Sequence, residues 1–140
     1  MIPVLLIGFA LVAGTVTIHA TGLSILLRYL LIRAEFPRRR GSLTWLLIRT
    51  AWLLIVIHGI EISIWAVAFW LAGSLPNLNS AFYFSGTTYT TIGYGDLVLS
   101  PPWRMLGPLE GMTGILMCSL SGAFFFAVVT RVTGLRPTGT

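Results

Sequence analysis

Three long apolar runs constrain this chain more than any other feature of its sequence. They cover residues 2–27, 43–71 and 105–130, and the charged residues within them are Arg49, Glu61 and Glu110. Each run exceeds the roughly 20 residues that a helix needs to cross a bilayer. Charged residues make up 9% of the chain, whereas soluble domains contain about a quarter. We therefore predict an all-α membrane protein with three transmembrane helices per chain.

The first run raises the alternative of a cleaved signal peptide. A signal peptide has positive charge before an apolar core of about 7–15 residues. Here no positive residue precedes Arg28, and the apolar run is longer. We therefore expect residues 1–33 to form a retained transmembrane helix.

The basic residues predict the orientation of the chain. All nine are arginines, and five lie between the first two apolar runs: Arg28, Arg33, Arg38, Arg39 and Arg40. Cytoplasmic loops carry an excess of Arg and Lys, so we expect a cytoplasmic loop at 34–42 and the N-terminus outside. A short tail, 132–140, would then lie in the cytoplasm. The net charge of +5 is thus explained by topology, and nucleic-acid binding is not expected.

A polar stretch, "TYTTIGYGDL" at residues 88–97, separates the second and third apolar runs. The segment before it contains "GSLPNLNS", in which Asn79 or Ser80 is a candidate helix cap, since such side chains accept from exposed backbone N–H groups. We predict a re-entrant helix over 79–90 and an extended strip after it. Non-helical backbone at membrane depth must be buried in protein or line a watery cavity.

The glycines of this strip suggest what it lines. An ordinary strand alternates its carbonyl directions, and turning successive carbonyls to one side requires residues with positive φ, which glycine adopts at low cost. Gly93 and Gly95 have the spacing for this. A column of carbonyls, with the Thr91 hydroxyl below it, would offer oxygen ligands that replace the hydration shell of a monovalent cation.

TTIGYGD, residues 90–96, resembles the selectivity-filter signature of potassium channels, and residues 43–131 resemble the two-transmembrane pore-loop fold. The resemblance implies an outer helix at 43–72, a pore helix at 79–90, a filter at 91–96 and an inner helix at 104–131. It implies that Thr91, Ile92, Gly93 and Tyr94 bind K⁺. Thr87, Thr90, Gly95 and Asp96 would support the filter. Because one chain supplies one wall, the resemblance also implies a homotetramer in lipid, with no small-molecule substrate.

The sequence departs from the family pattern at two places. Thr87 stands where a bacterial relative has a glutamate that pairs with the filter aspartate. Tyr83 and Phe84 replace a common Trp-Trp pair. Both differences put the stiffness and inactivation of the filter in doubt, and they leave ion choice alone.

Three other functions compete with a potassium channel. A weakly selective cation channel on the same fold is the nearest, but such relatives usually depart at the tyrosine or the second glycine. An intramembrane enzyme using His58 and Glu61 would lack a paired nucleophile or a full metal set. A non-conducting accessory subunit would not be expected to keep an intact filter.

His58 and Glu61 lie three residues apart on one face of the second helix. Ionisable groups inside a membrane are costly and usually face the protein interior. One interpretation is a proton-sensitive or cation-attracting site. The other is a polar pair that braces this helix against the pore helix, at Thr87, Thr88 or Tyr89. A His/Glu pair can ligate a metal, but we expect no metal site because the sequence shows no third ligand nearby.

The third helix offers a candidate hinge and gate. Gly114 falls at the depth of the inner-helix hinge in the resembling family, although small residues also serve close helix packing. A strip at helical spacing, expected to face the pore, contains Ile115, Ser119, Gly122 or Ala123, and Phe126. Apolar constrictions gate by dewetting, so Phe126 is expected to form the narrowest point. Phe124 and Phe125 are expected to face lipid. Glu110 is expected to neighbour Arg104 or the pore-helix backbone, or to face the outer vestibule, and of these we favour structural pairing.

Overall fold

The computed structural model describes residues 2–32 and 40–133. It contains α1 (Ile2–Ile32), α2 (Arg40–Leu71), α3 (Leu78–Tyr89) and α4 (Leu106–Thr133), with a 3₁₀ turn at Pro101–Trp103 before α4. Three helices, α1, α2 and α4, are long and apolar enough to cross a membrane. The described part of the chain has no strand, and the predicted all-α fold with three transmembrane helices is confirmed.

The helix ends differ from the predicted bounds by a few residues. The second helix begins at Arg40, three residues earlier than expected, and α4 continues to Thr133. A helix can continue past its apolar stretch because its backbone groups still bond to one another there. These two helix ends therefore extend beyond the apolar runs that predicted them. Most of the predicted cytoplasmic loop and tail, including Arg33, Arg38, Arg39 and Arg136, lies outside the described residues.

The N-terminus of α3 is capped by Asn77. Its backbone is extended, with φ −156° and ψ 165°, and its side chain accepts a hydrogen bond from the N–H of Ser80 at 2.8 Å. The expectation that Asn79 or Ser80 caps this helix is therefore wrong. Asn79 and Ser80 lie in the first turn of α3, because the helix begins at Leu78, directly after the cap.

The first helix packs against both α2 and α4, and α3 is held between α2 and α4. Two glycines allow α1 to approach closely: a Cβ at Gly8 would lie 2.8 Å from the side chains of Leu106 and Leu109, and one at Gly22 would lie 2.8 Å from Ile57. A hydrogen bond of 3.0 Å from the Trp65 indole to the Thr15 hydroxyl, both buried, joins α1 to α2. α1 is thus part of the packed core.

The core has two parts. The larger lies around α3 and includes Trp65, Phe69, Tyr89 and Leu106. The smaller joins α1, α2 and α4 through Leu23, Leu26 and Leu54, and Phe124 and Phe125 pack against it. The expectation that these two phenylalanines face lipid is therefore wrong, because α1 covers the face of α4 that they occupy.

Candidate functional site

The extended strip follows directly from the C-terminus of α3. The helix ends at Tyr89, and Thr90 is its C-cap. Beyond it, φ is positive at every second residue: 61° at Thr91, 54° at Gly93 and 78° at Gly95. The hypothesis of a one-sided carbonyl column requires positive φ at intervals of this kind. Thr91 is β-branched, and positive φ is a strained conformation for such a residue. Strain of this kind concentrates at functional sites.

Hydrogen bonds to the last turn of α3 hold the start of the strip. The N–H of Gly93 donates to the Thr87 carbonyl at 3.0 Å, and the N–H of Thr91 donates to the Thr88 carbonyl at 3.0 Å. The Thr90 hydroxyl donates to the Gly86 carbonyl at 2.6 Å. These bonds satisfy carbonyls that a helix end leaves without partners and couple the strip to the pore helix.

Asp96 is joined to the pore helix by Tyr83. The phenol of Tyr83 donates a hydrogen bond of 2.8 Å to the Asp96 carboxylate. This bond, with the nearby negative charge, raises the pKa of Tyr83 above its usual value. Thr87 plays a different part: its hydroxyl donates to carbonyls of its own helix, at Phe84 (3.0 Å) and Tyr83 (3.1 Å). Thr87 contacts the strip through its backbone carbonyl.

In a single chain, side chains of the strip are exposed. Ile92 is 55% exposed and Tyr94 is 69% exposed. On α4, the residues expected to face the pore are also exposed: Ile115, Ser119, Gly122, Ala123 and Phe126. In a single chain, the strip and this face of α4 are therefore both free to contact neighbouring chains or to line a pore.

A buried polar cluster joins the four α-helices of the described chain. Glu61 of α2 is fully buried and accepts a hydrogen bond from the Tyr89 hydroxyl. Its carboxylate oxygens also lie within hydrogen-bond distance of His19 Nδ1 (2.9 Å) and His58 Nδ1 (3.2 Å). Ser121 of α4 lies 3.0 Å from His58 Nε2 and 3.4 Å from His19 Nε2. We call these five residues the His–Glu cluster.

His19 was not predicted to be a member of this cluster. His19, His58 and Glu61 bring three ligand atoms within 4.8 Å of one another, so the expectation of no third ligand near the His/Glu pair is wrong. His19 is the partner from α1, 42 residues away in the chain. The available signal was an imidazole at membrane depth in the first apolar run, which by itself calls for a partner. On α3, the pair contacts Tyr89.

Glu110 pairs with the pore helix through a side chain. Ser85 Oγ lies within hydrogen-bond distance of both the Glu110 carboxylate and the Ile62 carbonyl, the latter at 2.9 Å. Glu110 is fully buried, and its Oε2 has no partner among the described residues. Arg104 instead donates from Nε to the Leu99 carbonyl at 3.3 Å. The contact therefore runs to Ser85.

Gly114 lies against the end of the pore helix. A Cβ there would fall 2.0 Å from the Tyr89 carbonyl oxygen, a backbone atom. The absence of a side chain thus allows α4 to pass directly beneath the residue that precedes the strip. This contact gives Gly114 a packing role, and its role as a hinge stays a prediction.

A family model described as "Ion channel" matches residues 54–131, or 78 of the 140 residues. The chain belongs to this ion channel family. The match covers α2 from Leu54, the pore helix, the strip and α4 as far as Arg131. Neither the curated proteins nor the solved structures that were compared with the chain give a match.

Membership of the ion channel family, together with three spanning helices, makes this a multi-pass membrane protein that transports ions. Glu61, His58, Tyr89 and Ser121 all lie in the matched range. The fifth member of the His–Glu cluster, His19, lies on α1, outside that range. The cluster therefore connects the family's channel unit to a helix that the family model does not cover.

Proposed function

We propose that this chain forms a homotetrameric, potassium-selective channel. K⁺ would pass down its gradient along the carbonyls of Thr91, Ile92, Gly93 and Tyr94 and the Thr91 hydroxyl. No bond is made or broken in this process, so we assign no catalytic residue.

The observation that carries the proposal is the alternation of φ along TTIGYGD. Positive φ at residues 91, 93 and 95 suits a backbone whose successive carbonyls face one side. Carbonyl rings of this kind replace the hydration shell of K⁺. The strip also begins at a helix C-terminus, where partial negative charge favours a cation.

A tetramer is proposed because each chain contributes one strip. A ring of carbonyls needs several walls, and Ile92 and Tyr94 are exposed in the single chain. The orientation proposed is a cytoplasmic C-terminus and an external filter mouth, because Arg28 and Arg131 lie at one end of the spans.

A measurement of ion selectivity distinguishes the proposed potassium channel from its nearest rival, a weakly selective cation channel. The purified protein is reconstituted in a planar bilayer under opposed K⁺ and Na⁺ gradients, and the reversal potential is measured. We expect a reversal potential close to that of K⁺ and block by Ba²⁺. A reversal potential near zero would favour the weakly selective channel, and no current at all would favour an accessory subunit.

A filter variant supplies the matched control. Gly93→Ala places a side chain at a residue with φ 54°, a conformation that alanine adopts at a cost. Gly86→Ala, on α3, has open space around it and ordinary helical backbone. We expect Gly93→Ala to lose K⁺ selectivity or current and Gly86→Ala to keep both.

A further inference from the structure

Both histidines of this chain meet at one carboxylate. The chain contains two histidines, on different helices, and each directs its Nδ1 to Glu61. The side chains of His19 and Glu61 are fully buried, whereas that of His58 is 18% exposed. Three donor atoms of the kind that bind transition metals thus converge at membrane depth, and His58 leaves a path by which an ion can enter.

If both histidines are neutral and Glu61 is ionised, the His–Glu cluster has one hydrogen-bond donor too few. Both Nδ1 atoms face Glu61, so each must carry a proton to donate. Both Nε2 atoms must then accept, and both face Ser121 Oγ, at 3.0 and 3.4 Å. A hydroxyl has one proton, so one imidazole is left without a donor. One additional cation would remove this deficit.

A metal ion at the Nδ1 atoms completes the hydrogen bonds. Each imidazole would then carry its proton on Nε2, and the Ser121 oxygen has two lone pairs that accept from both. Histidines that bind metals usually donate their other ring N–H to a neighbouring polar group, which fixes the tautomer and the ring orientation. Ser121 occupies that position for both rings at once.

The spacing of the donors suits a first-row transition metal. Zinc bonds of about 2.0–2.1 Å in a tetrahedral site place donors roughly 3.3 Å apart. His19 and His58 lie 2.9 and 3.2 Å from the two Glu61 oxygens, and the three ligand atoms lie within 4.8 Å of one another. Small side-chain rotations therefore bring the donors to bonding distance. The Tyr89 hydroxyl, 3.1 Å from His58 Nδ1, is in place as a further oxygen donor.

The donor types determine the class of ion. Imidazole nitrogens suit zinc and its first-row neighbours, whereas Mg²⁺ and Ca²⁺ prefer oxygen ligands. A divalent ion also gives the buried Glu61 carboxylate a partner of opposite charge, and ionisable groups inside a membrane usually pair in this way. We propose that His19, His58 and Glu61 form a binding site for a divalent transition-metal ion of the zinc class, which ties α1 to the channel unit.

The metal site is connected to the filter through Tyr89. Tyr89 bonds to Glu61 and is the last residue of α3, two residues before Thr91. Ser121 belongs to α4. An ion bound here therefore clamps α1, α2, the pore helix and the inner helix at one point. The site itself is independent of which cation the channel conducts.

The test uses the full chain, purified in detergent, stripped of metal with a chelator and titrated with Zn²⁺ by calorimetry. Cys118 is the one cysteine of the chain, so Cys118→Ser is the background for all variants. We expect one Zn²⁺ per chain in this background and a loss of affinity of at least about 100-fold in His19→Gln, since outer-shell changes alone cost 10–100-fold. Thr17→Val, on the same helix but exposed, should bind as the background does.

Ser121→Ala separates a metal site from a simple binding patch. We expect it to keep one Zn²⁺ per chain with affinity lowered by about 10–100-fold. Equal affinity in the background and in His19→Gln would overturn the proposal. Absence of Zn²⁺ binding in the background protein would also overturn it, and the cluster would then hold a proton in place of a metal.

A second measurement needs no substitution within the His–Glu cluster, so it does not depend on whether those variants fold. Co²⁺ added to the background protein should give the intense visible bands of a four- or five-coordinate ion with nitrogen ligands. The weak spectrum of hydrated Co²⁺ would contradict the proposal. The potassium selectivity of the channel enters neither measurement, so failure of the metal site and failure of the proposed function are distinguishable.

Discussion

At the scale of single residues, Gly114 has the least room for change. Its missing Cβ would lie 2.0 Å from the Tyr89 carbonyl oxygen, and a backbone atom at a helix end cannot rotate away as a side chain can. Overpacking of a core costs typically 1–3 kcal/mol, and we expect Gly114→Ala to lie at or above the upper end. Thermal unfolding of the purified protein measures the loss.

Gly107 is the matched control for Gly114. A Cβ at Gly107 meets the Phe84 ring at 3.8 Å, which is ordinary contact. Alanine is preferred to glycine in a helix by about 1 kcal/mol, so Gly107→Ala should be neutral or stabilising. Equal destabilisation by both substitutions would show that Tyr89 does not restrict Gly114.

The Tyr83–Asp96 bond predicts a pH effect at the C-terminal end of the TTIGYGD strip. The bond raises the pKa of Tyr83, so it is fully present below the ordinary tyrosine pKa and is lost as pH rises through the raised value. Burial raises the pKa of Tyr89 as well, as does the hydrogen bond that its hydroxyl donates to a buried carboxylate. Tyrosinate absorbance should therefore show more than one phenol that ionises late, and Tyr83→Phe should remove one of them. Asp96→Asn, which removes the charge, should return that phenol towards its ordinary pKa. An unchanged number of late phenols in Tyr83→Phe would assign the shift elsewhere.

At the scale of elements, the pore helix depends on its cap. Asn77 accepts from the Ser80 N–H at 2.8 Å, and losing such a cap costs typically about 1 kcal/mol. We expect Asn77→Ala to lower the free energy of unfolding by about that amount and Asn79→Ala to leave it nearly unchanged. Chemical unfolding in mixed detergent measures both. A larger effect at Asn79 would place the start of α3 elsewhere.

Two neighbouring phenylalanines, Phe125 and Phe126, lie on different faces of α4. Phe126 is 67% exposed in the single chain, whereas Phe125 packs against the smaller core. We expect Phe126→Ala to increase current through the closed channel while stability changes little. Phe125→Ala should lower stability, by less than the roughly 3–5 kcal/mol that truncating a fully buried phenylalanine costs, because Phe125 is only partly buried. Single-channel recording and thermal unfolding separate the effects, and an unchanged leak in Phe126→Ala would exclude this residue as the gate.

At the scale of the whole molecule, α1 is held to the channel unit by buried polar contacts as well as by packing. The Trp65 indole donates to the Thr15 hydroxyl at 3.0 Å, and both residues are fully buried. Thr15→Val leaves this N–H without an acceptor, which costs about 1–3 kcal/mol. We expect that loss in thermal unfolding.

Thr17→Val is the control for Thr15→Val, because the Thr17 hydroxyl is exposed and bonds only to its own helix, at the Ala13 carbonyl. A double-mutant cycle with Trp65→Phe should show that the effect of Thr15→Val depends on the indole. Additive effects would mean that Thr15 stabilises α1 in some other way.

Much of this architecture was predictable from local sequence. Span length and hydropathy indicated α1, α2 and α4, since a helix that crosses a bilayer needs an unbroken apolar run. Turn residues followed by "AFYFSGTTYT" indicated α3, with its cap placed two or three residues too late. In the strip, Gly93 and Gly95 indicated positive φ, because glycine adopts it without steric cost; Thr91 carried no such signal.

The His–Glu cluster was predictable only in part. His58 and Glu61 are three residues apart on one helix, so their contact follows from helical geometry. His19 and Ser121 reach the same point from α1 and α4, and nothing local in either helix specifies that meeting. The rotation of each helix about its axis and its depth beside its neighbours decide which side chains touch.

The sequence by itself determined that this chain has three membrane-spanning helices and carries a glycine-bearing strip behind a short fourth helix. Apolar length and backbone conformational preference act within one segment and need no partner. Only the tertiary structure decided that α1 belongs to the core, that Gly114 seats the inner helix on Tyr89, and that both histidines share Glu61. Such contacts depend on close approach between helices, which glycines at 8, 22 and 114 permit but which no single segment encodes.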